Sequence, residues 1–111
     1  MLSFQRLDVY QRAIEFLALV YEIIEQLPRG HADRADQLAR AAESVVRNIA
    51  EGAGRWSGVD SAKHYKIARG EAMECAASLD VLRIRKLLDE ERYHRGIHLL
   101  EAIVAMLTKM F

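Results

Sequence analysis

The apolar residues of this 111-residue chain recur at intervals of three and four along almost its whole length. This spacing is typical of amphipathic α-helices, because it places apolar side chains on one side of a helix. The chain has a single proline, and its β-branched residues are outnumbered by Ala, Leu, Glu and Arg, which disfavours a β-sheet. The sequence therefore predicts an all-α protein.

Breaks in this pattern divide the chain into four predicted helices, the first of which ends before Pro28 and Gly30. The helices are predicted to span about residues 8–26, 33–53 and 58–88, with a fourth from residue 90 onward. There is no internal repeat, linker or low-complexity segment. Residues 1–111 are therefore predicted to form one domain, an antiparallel up-and-down four-helix bundle.

Polar residues suited to cap helices precede three of these segments. Asp33 and Asp89 are the predicted N-caps of the second and fourth helices, because a carboxylate can accept hydrogen bonds from the free N–H groups there. Ser57 with Asp60 resembles a capping box at the start of the third helix. The stretch "RNIAEGAGRWSG" before it is predicted to end the second helix and turn, since its glycines lack the spacing of a phosphate-binding loop.

The first and fourth helices each carry two apolar rows, although one row suffices for a four-helix core. We predict that one row faces the core and that other copies of the chain cover the second row. The alternative is a wide core face that includes both rows. The predicted core rows contain Tyr10, Ile14, Leu17, Tyr21 and Ile24 in the first helix, Tyr65, Ala68, Ala72, Cys75, Leu79 and Leu82 in the third, and Tyr93, Ile97, Leu100, Val104, Leu107 and Phe111 in the fourth. The predicted subunit-interface residues are Phe16, Val20, Ile23, Leu99, Ile103 and Met106.

Charge is balanced over the chain, with 16 Lys and Arg residues and 16 Asp and Glu residues. Net charge therefore does not dictate binding to nucleic acid, which would need a local basic patch. Three arginines of the second helix recur at seven and eight residues and share one side of it. Each follows an acidic residue by four positions, which equally predicts a solvated, ion-paired face. The candidate nucleic-acid-binding residues are Arg40, Arg47, Arg55, Lys63, Lys66 and Arg69.

No complete catalytic or metal-binding set can be assembled from the sequence. His94 and His98 are one helical turn apart and Glu91 precedes them, but a di-iron site in a bundle needs a second Glu-x-x-His pair. Cys75 falls on the apolar row of the third helix, where a thiol acts as an inert packing group. We therefore predict no enzyme activity, no metal and no cofactor, with a metal site between subunits as the remaining alternative.

Neither a targeting signal nor a membrane span is predicted. The stretch "MLSFQRLDVYQRA" lacks the basic start and apolar run of a signal peptide. The longest apolar run, residues 16–21, is far too short to cross a bilayer. Since Cys75 is the single cysteine, no disulfide can form within the chain. These features predict a cytoplasmic protein.

Asn48 and Glu51 are polar residues three positions apart in an alanine-rich helix. Polar groups that become buried need hydrogen-bonding partners. The pair is therefore predicted to link the second helix to the third, with Tyr65 and Glu74 as candidate partners. Exposure beside the arginine pairs is the alternative.

The stretch from Leu38 to Cys75, "LARAAESVVRNIAEGAGRWSGVDSAKHYKIARGEAMEC", resembles the central signature of the 23S rRNA-intervening-sequence protein family. The opening stretch "FQRLDVYQRAIEFLALVYEIIEQLP" is similar to the first helix of that family. The family usually has a serine where Glu71 stands here. The positions that carry the family motif are Asn48, Glu51, Gly52, Gly70 and Glu74.

The resemblance implies an antiparallel four-helix bundle that assembles as a homopentamer, without catalysis or cofactor. A related branch, the accessory variability determinant of diversity-generating retroelements, binds a reverse transcriptase and nucleic acid through a basic surface of its pentamer. The function predicted in this way is a homo-oligomeric scaffold that binds RNA, DNA or a nucleic-acid enzyme such as a reverse transcriptase. The alternative is a structural or protein-interaction module that does not bind nucleic acid.

Overall fold

Four long helices account for most of the chain in the computed structural model, which describes residues 1–111. After a short 3-10 helix at Ser3–Arg6, the helices are α1 (Asp8–Gln26), α2 (Ala32–Ala53), α3 (Gly58–Ile84) and α4 (Glu90–Thr108). Each helix packs against its neighbours in sequence, and α1 also packs against α4. Connections of four or five residues join them, so successive helices run antiparallel. The predicted antiparallel up-and-down four-helix bundle is confirmed.

The helix ends confirm Ser57 and Asp89 as N-caps, but the Asp60 side chain makes no return hydrogen bond that would complete the predicted capping box. The Ser57 hydroxyl accepts a hydrogen bond from the Asp60 N–H at 3.1 Å, and the Asp89 carboxylate accepts one from the Arg92 N–H at 2.8 Å. The prediction for Asp33 was wrong. The second helix begins one residue earlier, at Ala32, so Asp33 lies in its first turn, where a carboxylate still interacts favourably with the helix dipole.

The third helix ends at Ile84, four residues before the predicted end. Lys86 adopts a left-handed backbone conformation, with φ of 61°. Its N–H donates to the Arg83 carbonyl at 3.0 Å, and the Leu87 N–H donates to the Leu82 carbonyl at 2.9 Å. This is the Schellman pattern, which satisfies the last carbonyls of a helix and reverses the chain. Glycine favours this conformation, and because Lys86 stands there instead, the end of this helix carries no glycine stop signal.

The core contains 22 buried apolar residues drawn from all four helices and from Leu88 in the last connection. On the third helix, the buried set is the one that the spacing predicts. Its members are Tyr65, Ala68, Ala72, Cys75, Leu79 and Leu82.

The predicted interface rows of the first and fourth helices were largely wrong. Five of the six residues assigned to subunit contacts are buried inside the single chain, and Met106 is half-buried against the core. The five are Phe16, Val20, Ile23, Leu99 and Ile103. Conversely, three residues of the predicted core rows lie at the surface, namely Ile14, Tyr21 and Phe111. The physical reason is that two adjacent rows form one wide apolar stripe, and the neighbouring helices decide which edge of it lies deepest.

Candidate functional surfaces

Apolar residues cover the outer side of α3 as well as its inner side. Met73, Val81 and Ile84 are exposed there, with 45%, 45% and 80% of their surface accessible. Ala77 lies between them and Gly70 lies one turn before Met73, and the spacing of three and four residues puts all five on one side of the helix. Contiguous exposed apolar side chains mark interaction sites, so this outer face (Gly70, Met73, Ala77, Val81 and Ile84) is the surface most in need of a partner.

An apolar groove between α3 and α4 continues this outer face. Met73 belongs to both, and the other wall is formed by Ile97, Val104 and Ala105 of α4. Glu101 is the one charged residue that lines the groove. The two features together give a broad apolar surface on one side of the bundle, whereas the exposed residues Ile14 and Tyr21 lie on a different helix, α1.

The three candidate arginines of α2 are each paired with an acid of the same helix. Guanidinium-to-carboxylate distances are 3.1 Å for Arg40 to Asp36, 3.7 Å for Arg47 to Glu43 and 3.2 Å for Arg55 to Glu51. The i,i+4 pairs predicted from the spacing are therefore present. All three arginines are well exposed, and such pairs contribute little to stability in water.

The three candidate cations of α3 have different surroundings. The Lys66 ammonium lies 5.6 Å from the centre of the Phe111 ring, and the Arg69 guanidinium donates to the Thr108 hydroxyl at 2.9 Å. Lys63 is exposed and forms no ion pair. Because α2 does not contact α4, Lys66 and Arg69, which reach the C-terminal end of α4, lie on the side of α3 that faces away from α2. The predicted basic row is thus divided into the paired arginines of α2 and the cations of α3 that lie near the end of α4.

The balanced charge of the chain is unevenly distributed along the bundle. One end is formed by residues 1–11, 50–70 and 103–111, because the 3-10 helix packs against α1 and α2 and the end of α4 lies beside the start of α3. These residues, called here the basic end, carry six Lys and Arg residues and three Asp and Glu residues. The rest of the chain carries ten Lys and Arg residues and thirteen Asp and Glu residues. The cations of the basic end are Arg6, Arg55, Lys63, Lys66, Arg69 and Lys109.

Most cations of the basic end are free of acidic partners. Of the six, Arg55 alone forms an ion pair, whereas six of the ten elsewhere do so. An unpaired cation can neutralise a phosphate without first breaking an internal salt bridge. The basic end is therefore the part of this surface best suited to a polyanion.

Asn48 links α2 to α3, but through a residue that the sequence reasoning passed over. The Asn48 amide donates to the Ser44 carbonyl at 2.9 Å, which orients its Oδ1 toward the His64 Nδ1 at 3.0 Å. Because an amide oxygen can only accept, this contact is a hydrogen bond when the His64 Nδ1 carries the proton. The Glu51 carboxylate is 3.6 Å from the same nitrogen and remains exposed.

The two expected partners of this pair make other contacts. Tyr65 packs against Gly52, and Glu74 lines a shallow depression with Arg34 between α2 and α3. The position of the turn is the signal that could have identified His64 as the partner of Asn48. Asn48 and His64 are each eight residues from Trp56, so an antiparallel helix pair that turns there places them side by side.

Gly52 lets α2 and α3 approach closely, whereas Gly70 does not serve a contact within the chain. A Cβ atom at Gly52 would lie 2.5 Å from Cε1 of the buried Tyr65 ring, which no real contact tolerates. A Cβ atom at Gly70 would meet nothing within 4 Å. The two motif glycines thus have different surroundings, and the open one lies at the N-terminal end of the outer face of α3.

The histidines and the cysteine do not form a reactive centre. His94 pairs with Glu90 at 3.2 Å on the surface, and no group of three or more His, Cys, Asp or Glu side chains is placed to hold a metal ion. Burial raises the pKa of the Cys75 thiol to about 12, with smaller contributions from Glu71 and Glu74. None of the helices has the length and hydropathy that a membrane span needs.

Comparison with known proteins gives a family and a fold. The sequence model described as 23S rRNA-intervening sequence protein matches residues 5–109 of the chain. A crystal structure of a protein of unknown function from the S23 ribosomal protein family of Bacteroides thetaiotaomicron superposes with a TM-score of 0.85 at 22% identity. The superposition covers 92% of this chain and 96% of that one, so it shows a shared fold. No curated protein matches the chain.

Proposed function

We propose, from the premise that the chain belongs to the 23S rRNA-intervening sequence protein family, that it is a non-catalytic cytoplasmic scaffold whose copies assemble and together bind nucleic acid. The observation that carries this proposal is the outer face of α3. A single chain leaves the large apolar side chains of that face, Met73, Val81 and Ile84, in contact with water. Assembly of copies would remove it from water and would bring several basic ends into one particle.

A second copy of the chain is the occupant that best fits the outer face of α3. The face is continuous with the groove beside α4, so a helix of another copy could contact both. Gly70 and Ala77 have little or no side chain, which permits close approach of such a helix. The charges near the face are of both signs, with Lys66 toward one end and Asp80 toward the other, so copies can offset each other's charge. The resemblance implies five copies.

The first test is the mass of the particle and its response to a charge on the outer face. We expect light scattering at micromolar concentration to give a multiple of 12.7 kDa, with five copies in the particle. The Met73→Asp variant should give the mass of one chain, because the assembly would have to bury an unpaired carboxylate. The matched control is Ile14→Asp, a similarly exposed apolar residue on α1, which should keep the wild-type mass. A wild-type chain that runs as a monomer would contradict the proposal.

Nucleic-acid binding is proposed for the basic end, where the unpaired cations lie. Its local excess of three positive charges is modest for one chain, and an assembly would multiply it. A nucleic-acid enzyme such as a reverse transcriptase is the protein partner that the resemblance implies, and it would bring its own template to this surface.

The second test is a titration of structured RNA and of single-stranded DNA at rising salt. We expect affinity to fall steeply, because each phosphate that is neutralised releases a bound counterion. The double variant Lys63→Gln with Lys66→Gln should reduce both the affinity and the salt slope. Arg40→Gln with Arg47→Gln, which removes two cations that are already paired, should have a smaller effect. The absence of binding at low salt would contradict this half of the proposal.

A purely structural or protein-interaction module is the second candidate function. The observation in its favour is that all three arginines of the α2 row are paired within their own helix. This candidate predicts the same assembly and the same effect of Met73→Asp. It differs in predicting no salt-sensitive affinity for RNA or DNA, so the titration decides between the two.

A further inference from the structure

We infer that Trp56 is a stacking platform for the bases of single-stranded nucleic acid, and that the basic end holds the strand's phosphates beside it. This inference rests on the proposed binding of nucleic acid and adds the kind of strand and the residue that contacts its bases. Trp56 is the single tryptophan of the chain and is fully exposed at the tip of the α2–α3 connection. Nothing in the subunit packs against its indole ring.

The backbone on both sides of Trp56 is held in place, so the exposed ring projects from an ordered turn. The Gly54 N–H donates to the carbonyls of Ala50 and Glu51, both at 3.1 Å. On the other side, the Ser57 hydroxyl accepts from the Asp60 N–H and begins α3. Because the turn is already ordered, a stacking base has to restrict only the rotation of the ring itself.

The cations around the turn suit the backbone of a single strand. Arg55 is adjacent in sequence, and Lys63 and Lys66 follow in the first turns of α3 with both side chains exposed. Phe111, half exposed beneath the Lys66 ammonium, gives the same end a second aromatic face. Proteins that bind single strands without sequence preference combine these two elements, a basic surface for the backbone and aromatic rings for the bases.

The strand must be single, because the bases of a duplex are already stacked on each other and cannot reach an external ring without unpairing. A duplex could still contact the cations of the basic end. The inference therefore predicts that Trp56 matters for single strands and is nearly irrelevant for duplexes, whereas the lysines matter for both.

The test uses Trp56 as its own probe, since no other tryptophan contributes to the fluorescence. Titration of the assembled wild-type protein with short oligo-dT should quench the emission, and the matched oligo-dA–oligo-dT duplex should leave it nearly unchanged. The Trp56→Ala variant should bind oligo-dT about 5- to 150-fold more weakly, the range expected for loss of one stacked base. Trp56→Phe should restore part of the affinity, and the neighbouring exposed control Val59→Ala should bind like the wild type.

Several outcomes overturn the inference. Unchanged affinity of Trp56→Ala for oligo-dT overturns it while leaving the proposed function intact, since binding would then come from charge alone. Blue-shifted emission of the assembled protein before any titration also overturns it, because Trp56 would then be buried between copies. Failure of the wild type to bind any strand or duplex at low salt overturns both this inference and the proposed binding of nucleic acid.

Discussion

Replacement of Ile103 by aspartate is expected to unfold the chain. Ile103 of α4 is fully buried, and the buried core cluster to which it belongs is apolar throughout. An unpaired carboxylate there would cost more than about 4 kcal/mol, a large part of the stability of a domain of this size. Far-UV circular dichroism and urea denaturation should show a chain that is largely unfolded without denaturant.

The same change at the next residue gives the matched control. Val104 is half-buried and lines the groove toward α3, where a carboxylate can reach water. We expect Val104→Asp to fold with a loss of about 1 kcal/mol in the free energy of unfolding. It should also weaken the assembly, because the groove continues the outer face of α3. Cooperative unfolding of Ile103→Asp at the wild-type midpoint would mean that the fourth helix is placed in the wrong rotation.

Replacement of Gly52 by alanine should destabilise the protein although alanine is the better helix former. The added methyl group would overlap the Tyr65 ring, which is itself buried between α2 and α3. Overpacking of this kind costs about 1–3 kcal/mol, more than the gain of about 1 kcal/mol in helix propensity. The loss should largely disappear when Tyr65 is also replaced by leucine, which a double-mutant cycle in urea would measure.

Gly70→Ala is the control for this change, since Gly70 is also in the middle of a helix but has open space around it. We expect it to raise the free energy of unfolding by about 0.5–1 kcal/mol, because the unfolded chain loses freedom and no contact is strained. Both glycine changes are best measured in the Met73→Asp background, so that self-association does not enter. If Gly52→Ala and Gly70→Ala changed the free energy of unfolding equally, the Tyr65 ring would lie farther from Gly52 than the 2.5 Å between Cε1 and the added Cβ atom implies.

The periodicity was sufficient to predict the number of helices, their order and most of their ends. It was also sufficient for the inner face of α3, whose six buried residues follow from the spacing alone. It could not decide the rotation of α1 and α4. Phe16 and Ile14 belong to one wide apolar stripe, and only the positions of the neighbouring helices place the first in the core and the second in water.

Surplus apolar surface was predicted for α1 and α4, whereas the structure exposes more large apolar side chains on α3. Spacing locates residues that share a face, and it does not say which of two apolar faces a neighbour covers. On α3 the second face is interrupted by Gly70 and Ala77, so it resembles a weak row in the sequence. In the structure, Met73 and Ile84 stand out on it because their side chains project from the bundle.

The polar link between α2 and α3 shows a similar limit. Asn48 was identified from its unusual place in an alanine-rich helix, but its partner His64 lies beyond a turn whose shape the sequence does not specify in full. Once the turn at Trp56 is known, the equal distances along the two helices make the pair evident. The division of the basic residues between two sides of α3 likewise depends on which helices are neighbours, which only the assembled bundle shows.

The burial of Cys75 makes the chain a reporter of its own opening. The thiol lies in the centre of α3 without access to solvent, and its high pKa keeps it protonated at neutral pH. An alkylating reagent can therefore reach it only when the helices separate, and it reacts with the thiolate that exposure then allows to form. The rate of modification at this one sulfur atom measures how often the bundle opens, in any of the variants above and without an added label.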